Sequence, residues 1–169
     1  TGTNQNNIQL VVATGAGVLE LSGNNTYTGG TTIQQSYLEV NSVGALGTSG
    51  NITFTGGFLQ YTANNTVDYS SRIKNSNSSV GIDIATGAQT IIFASPLDSS
   101  NNGGLTVKPG FTGSGGKLIL TATEAYTGTA AAGAAEFLDG GTLQVGDGGT
   151  TGSLPTTYGG ASGRNNASL

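Results

Sequence analysis

The chain contains no cysteine, histidine, methionine or tryptophan, and its 169 residues include only five Lys or Arg against nine Asp or Glu. Each shortage removes a class of function. Without Cys or His there is no thiolate or imidazole metal site, and no catalytic constellation that uses either side chain as nucleophile or base. Five cations cannot supply the basic stripe that neutralises a phosphate backbone, so nucleic acid is excluded as a partner. Apolar runs are short, as in Ile8–Val12 interrupted by Gln9, and this segment is not expected to insert into a membrane.

What is abundant is small and polar. Gly, Thr, Ser and Asn together make about half the chain. That composition borders on low-complexity linker. Two observations favour a packed structure instead. The 35% of hydrophobic residues are spread as short β-branched and Leu-rich clusters, and charged residues are only 8%, too few to expand the chain by self-repulsion. The fitting class is all-β, with many short strands and frequent turns. One domain, residues 1–169, is expected at this length, either alone or as a segment of a larger repeat array. A cysteine-free, acidic, Thr- and Asn-rich chain suits an exported protein that draws stability from repetition. Thr1 opens the chain without an initiator Met, a basic leader or an apolar leader core, as expected for a processed product or a piece of something longer.

Strand signals recur along the whole chain: Ile8–Val12, Val18–Leu21, Thr31–Ile33, Leu38–Val40, Ile52–Phe54, Phe58–Tyr61, Val67–Tyr69, Val80–Ile84, Thr90–Phe93, Leu105–Val107, Lys117–Leu120 and Thr142–Val145. Most alternate, as in Val18-Leu19-Glu20-Leu21, which puts apolar residues on one face. The single helical candidate, Thr129–Phe137, is Ala-rich but short and interrupted by Gly133, so a loop is the better expectation. Leu19, Leu38, Leu59, Val80 and Leu105 succeed one another at intervals near 20 residues, the size of one solenoid coil. A meander of hairpins is the competing arrangement, but the tight-hairpin dipeptides occur only at Asn102-Gly103, Asp139-Gly140 and Asp147-Gly148.

A longer repeat is superimposed on this spacing. The string Gly17–Gly29 realigns on Gly116–Gly128 at a constant offset of 99 residues. Tyr37-Leu38-Glu39-Val40 then pairs with Thr142-Leu143-Gln144-Val145, six residues further on, with the extra length falling in the Ala-rich stretch. The chain thus reads as one unit over about 17–115 and the start of a second over about 116–169.

These strings resemble a known family. Leu21-Ser22-Gly23-Asn24-Asn25-Thr26-Tyr27-Thr28-Gly29-Gly30-Thr31-Thr32-Ile33 and Gly140-Gly141-Thr142-Leu143-Gln144-Val145-Gly146 look like the autotransporter-associated β-strand repeat of long bacterial passenger proteins. Glu124-Ala125 stands where that repeat usually has Asn-Asn or Asn-Thr, and Ala130–Phe137 replaces an expected strand start and turn. The resemblance implies a right-handed parallel β-helix (β-solenoid) at the cell surface or in the extracellular medium. It carries no catalytic residues and no cofactor.

Four features of the sequence are candidate sites. The Asn runs at Asn24-Asn25, Asn64-Asn65, Asn101-Asn102 and Asn165-Asn166 suit coil corners, where Asn tolerates left-handed geometry and can form stacked amide ladders. Glycan acceptor triplets at Asn24, Asn51, Asn64, Asn77 and Asn166 are the alternative, though a chain this rich in Asn, Ser and Thr generates such triplets by chance. Tyr27 and Tyr126, at equivalent repeat positions, read as corner residues covering the core edge with a wet hydroxyl, and alternatively as a platform for sugar rings. Asp68, Asp83 and Asp98 could serve glycoside hydrolysis only if two of them faced one cleft; solvated surface acids are the simpler reading. Gly146-Asp147-Gly148-Gly149 resembles one Ca²⁺-binding repeat string without its tandem partner, and is read as a turn with no metal.

No charged or proline-blocked cap stands at Thr1–Asn7 or Gly159–Leu169. An uncapped solenoid exposes strand edges and an apolar cross-section. The expected partners are therefore identical subunits or adjacent repeats stacked end to end, with Ile8, Leu10, Val11, Val12, Leu154 and Leu169 as assembly residues. The leading function is a non-enzymatic structural stalk or self-assembling fibre; the alternative is an adhesin that binds surface glycans along one flank.

Overall fold

The computed structural model describes residues 7–13, 15, 17–87, 89–108, 110, 115–128, 136–138 and 142–155. Among the described residues twelve short strands follow in chain order: β1 (Leu10–Val12), β2 (Val18–Leu21), β3 (Thr31–Ile33), β4 (Tyr37–Val40), β5 (Ile52–Phe54), β6 (Phe58–Tyr61), β7 (Val80–Ile84), β8 (Thr90–Phe93), β9 (Leu105–Lys108), β10 (Lys117–Leu120), β11 (Glu136–Leu138) and β12 (Thr142–Val145). Every strand pairing among them is parallel. A parallel partner cannot be reached through a hairpin, so each pairing requires the chain to travel once around before returning. The result is a parallel β-solenoid, and the hairpin meander is excluded.

Three sheets form its faces. Sheet A runs β1-β3-β5, sheet B runs β11-β9-β7-β6-β4-β2, and sheet C runs β12-β10-β8. Sheet A is prolonged by a single bridge from Ile52 to Ile73. Above that point the same face continues as irregular backbone, with Asn102 N–H donating to Ser76 O and Thr127 N–H to Asn101 O. Sheet C begins only with β8, so the lower coils close that side with turns.

The coil length differs from the expected 20 residues. Leu10 pairs with Thr31 and Thr31 with Ile52, laps of 21 residues, whereas Thr90, Lys117 and Thr142 stack at laps of 27 and 25. The mean is about 23, and the added residues sit between strands, where a longer excursion costs little closure entropy.

The core is a set of vertical side-chain columns. Inward positions of sheet B stack Leu19, Leu38, Leu59, Ile82 and Val107, and beside them Leu21, Val40, Tyr61 and Ile84. Sheet A contributes Ile33 and Phe54, and sheet C contributes, from the bottom up, Ile91, Leu118 and Leu143. Nearly all are fully buried, each stabilising the rod by roughly 1.5–3 kcal/mol. Gly30 joins the 22–29 loop to β3 with φ +86°, and a Cβ there would sit 2.6 Å from Asn51 O in the next coil. Only glycine meets both demands.

Two expectations are corrected. Val67–Tyr69 is not a strand, because Asn65 Oδ1 accepts the Val67 N–H (2.9 Å) and Asp68 Oδ1 accepts the Ser70 N–H (2.8 Å), folding the segment into turns that lead to a 3-10 turn at Ser70–Arg72. In the stretch expected to be a loop, Thr129–Phe137, Glu136 and Phe137 lie in β11; residues 129–135 fall outside those described.

The 99-residue repeat also has a structural counterpart. Around the start of the first unit β1 pairs with β3 and β2 with β4; around the start of the second, β9 pairs with β11 and β10 with β12. The first set occupies sheets A and B, the second sheets B and C. The repeat therefore reappears one face further around the rod.

Candidate functional site

At the lower end, the outer edges of β1 and β2 have no strand partner among the described residues. Leu19 belongs to the inward column yet is 39% exposed, because no coil lies beneath it among those residues. Of the expected assembly residues, Ile8 and Val11 are exposed, Leu10 is half-buried, and Val12 is buried inside coil one. Val18 is also exposed here and was not foreseen. Leu154, at the other end, is partly buried against the core; Leu169 lies outside the described residues.

The tyrosine platform does not form as a pair. Tyr126 is completely buried, so it offers no ring face to a sugar and no wet hydroxyl. Tyr27 is half-buried, and its hydroxyl is 2.9 Å from Thr31 Oγ1. Burial raises the Tyr27 pKa, opposed by that hydrogen bond and by Arg72. Aromatic surface appears elsewhere, on the outer face of sheet B, where Tyr37 and Phe58 stack with ring centroids 5.1 Å apart. Lys108 Nζ lies 4.5 Å from the Phe58 centroid, a cation–π contact.

The three aspartates face different sides, and not all are solvated. Asp98 pairs with Lys74 (2.6 Å) on the sheet A side, and the hydrogen bonds from Lys74 and Ser100 hold its carboxyl near pKa 2. Asp68 caps Ser70 and also accepts the Ala94 N–H (2.9 Å), just past β8 on the sheet C side. Asp83, in β7 of sheet B, corrects the surface reading: it is buried and accepts from Gln60 Nε2 (2.8 Å). Burial pushes its carboxyl up, against the pull of Gln60 and Lys108. No two of these carboxyls share a cleft, so the two-carboxylate arrangement of glycoside hydrolysis is not built from them.

Glu124 is the group that spacing alone did not single out. It is buried, its Oε2 accepts the Leu97 N–H (2.7 Å), and its Oε1 has no hydrogen-bond partner among the described residues. Burial raises its pKa to about 7, with the Leu97 N–H opposing. A signal existed: Glu124 occupies the repeat position of Asn25, a neutral corner residue, as the departure from the family pattern indicated. Asn25 donates upward to Ala45 O (2.8 Å), whereas Glu124 accepts from the coil below.

The Asn runs do sit at corners, but not through left-handed backbone. The one non-glycine residue with positive φ among those described is Asn75, outside the runs. What the runs supply is side-chain bonding between coils. Asn65 Nδ2 donates to Ser42 O and to the Tyr69 hydroxyl, and Asn101 Nδ2 donates to Ile73 O. Asn165-Asn166 lies outside the described residues. Arg72 does comparable work from the 3-10 turn: its guanidinium donates to Leu46 O, Gly47 O, Ser49 O and Gly50 O, tying the third coil to the turn of the second.

Asp147 Oδ1 accepts the Gly149 N–H (3.2 Å), which makes that string an Asx turn. Among the described residues no three acidic side chains converge in a way that could hold a metal ion, and no helix is long and apolar enough to cross a membrane.

A parallel solenoid whose paired strands recur as a two-by-two unit defines a repeat-built rod. Residues 11–40, from β1 through β4, match the family described as Passenger-associated-transport-repeat. The chain carries that repeat, and repeat and fold together fit a passenger domain of a secreted or surface autotransporter protein. No curated protein and no solved structure matches the chain.

Proposed function

We propose that this chain is a segment of a rigid, non-catalytic extracellular rod that acts by length and stiffness, extended by further coils stacked on its ends. The observation that carries the reading is the open first coil. There, among the described residues, the core column ends in a half-exposed Leu19, and the outer edges of β1 and β2 present N–H and C=O groups with no strand partner. Another coil of the same kind satisfies both at once, burying the apolar column and continuing both ladders. In a repeat protein this neighbour contact is a principal source of stability. The occupant is either an adjacent repeat of the same chain or a second copy added by strand pairing.

Sedimentation velocity across a concentration series distinguishes these. Self-stacking predicts growing oligomers that are abolished by Leu19→Lys, which places a charge at the open end of the core column. A chain that stays monomeric at all concentrations rules out the polymer and leaves the covalent array. The adhesin alternative gains one observation, the stacked Tyr37 and Phe58 beside Glu20 and Glu39 on the outer face of sheet B. Glycan-array binding lost on Tyr37→Ala would support it; an array without hits favours the purely structural rod.

A further inference from the structure

Five Asn-x-Ser/Thr triplets occur in the chain, and the fold sorts them. Asn24-Asn25-Thr26 and Asn64-Asn65-Thr66 share one arrangement. In each, the second Asn turns into the rod and is anchored to the same turn of the second coil, Asn25 Nδ2 to Ala45 O and Asn65 Nδ2 to Ser42 O. That anchoring leaves the first Asn and the Thr two residues on exposed in both triplets. Both lie in irregular loops following a sheet B strand, where no ladder has to open for an enzyme to reach them. Asn24 Nδ2 makes no hydrogen bond among the described residues. Asn64 Nδ2 donates one, to Asn41 Oδ1 (2.8 Å), which leaves its second hydrogen unused.

The other two described triplets are different. Thr53 of Asn51-Ile52-Thr53 lies within β5, and its hydroxyl donates to Lys74 O (2.9 Å). Ser79 of Asn77-Ser78-Ser79 shares a 2.7 Å hydrogen bond with Thr106 Oγ1, and the Asn77 N–H is bound to Phe54 O. The hydroxyl that an acceptor triplet must offer is already engaged at both.

We propose that Asn24 and Asn64 are acceptor sites for N-linked glycosylation, each taking a sugar from a nucleotide-activated donor. The amide Nδ2 bonds to the anomeric carbon, the bond from that carbon to the diphosphate oxygen breaks, the nucleoside diphosphate leaves with the electron pair, and the nitrogen gives up one proton. This goes beyond the rod reading and stands whether or not rods join end to end.

The test treats the folded chain with UDP-glucose and an N-glucosyltransferase that reads Asn-x-Ser/Thr, followed by peptide mapping by mass spectrometry. Hexose is expected on Asn24 and Asn64 more than about tenfold faster than on Asn51 and Asn77, where local opening must come first. Urea-unfolded chain should lose the preference. Thr26→Val and Thr66→Val should each remove one site with an unchanged circular dichroism spectrum. Absence of hexose at Asn24 and Asn64 in the folded chain, equal labelling at Asn51 and Asn77, or unmodified Asn24 and Asn64 in protein recovered from its native cell would each overturn the assignment.

Discussion

Replacing Glu124 with glutamine isolates the cost of keeping one carboxylate between coils. The folded carboxyl has a pKa of about 7, against an ordinary value of 4.5, because burial penalises its charged form. Below pH 4.5 the group is protonated both folded and unfolded, and contributes nothing to the pH dependence. Between about pH 4.5 and 7 the unfolded chain has lost the proton that the folded chain still holds, so stability falls as pH rises, and above pH 7 the loss is complete. At about 1.4 kcal/mol per pKa unit, the full loss is about 3 kcal/mol. A neutral amide keeps an oxygen for the Leu97 N–H and removes the charge, although its two hydrogens then need acceptors, at a cost of about 1 kcal/mol. For a chain of this size the 3 kcal/mol corresponds to about 6–12 °C in melting temperature. Thermal melts followed by circular dichroism from pH 4.5 to 8.5 should show the parent declining and Glu124→Gln nearly flat, with the variant more stable at pH 8. Amide exchange at Leu97 supplies a local readout, slowing in the variant at pH 8. Two melting curves that run parallel across the pH range would refute the reasoning.

Three further outcomes follow from the same geometry. Arg72→Ala removes a donor shared by four carbonyls and should cost about 2–3 kcal/mol in urea melts, with Arg72→Lys recovering less than half because one ammonium cannot span all four. Leu59→Ala, in the middle of the sheet B column, should cost about 2–5 kcal/mol, while Leu19→Ala at the open end of the same column should cost under about 1 kcal/mol, measured by the same melts. Gly30→Ala forces a Cβ to 2.6 Å from Asn51 O at a left-handed position and should destabilise by more than about 1 kcal/mol.

The strands were legible because alternation at Val18–Leu21, Leu38–Val40 and Leu143–Val145 is a local signal that the solenoid obeys; the near-20 spacing carried the stacking from Leu19 through Leu38 to Leu59, after which a longer lap puts Ile82 and Val107, not Val80 and Leu105, in that column. Val67–Tyr69 was misread for a definable reason. Its apolar residues do pack inward, but Asn65 and Asp68 capture the backbone N–H groups that a ladder would need. Tyr27 and Tyr126 are equivalent in sequence yet differ in burial, because exposure depends on which coils lie above and below each. The work of Arg72 was invisible for a similar reason: its partners are backbone carbonyls, which carry no residue signature. Glu124 lay between these cases, marked by a departure from the repeat whose meaning appeared only with its burial.

The displacement of the second unit onto the neighbouring face has a consequence for how such a rod meets its surroundings. If the unit recurs, any given patch winds about the axis like the stripe of a barber's pole and returns to its starting side after about 300 residues. Two parallel rods could then touch through matching patches only at wide intervals, so zipping together along their length is discouraged, while a ligand approaching from any direction meets every patch in turn.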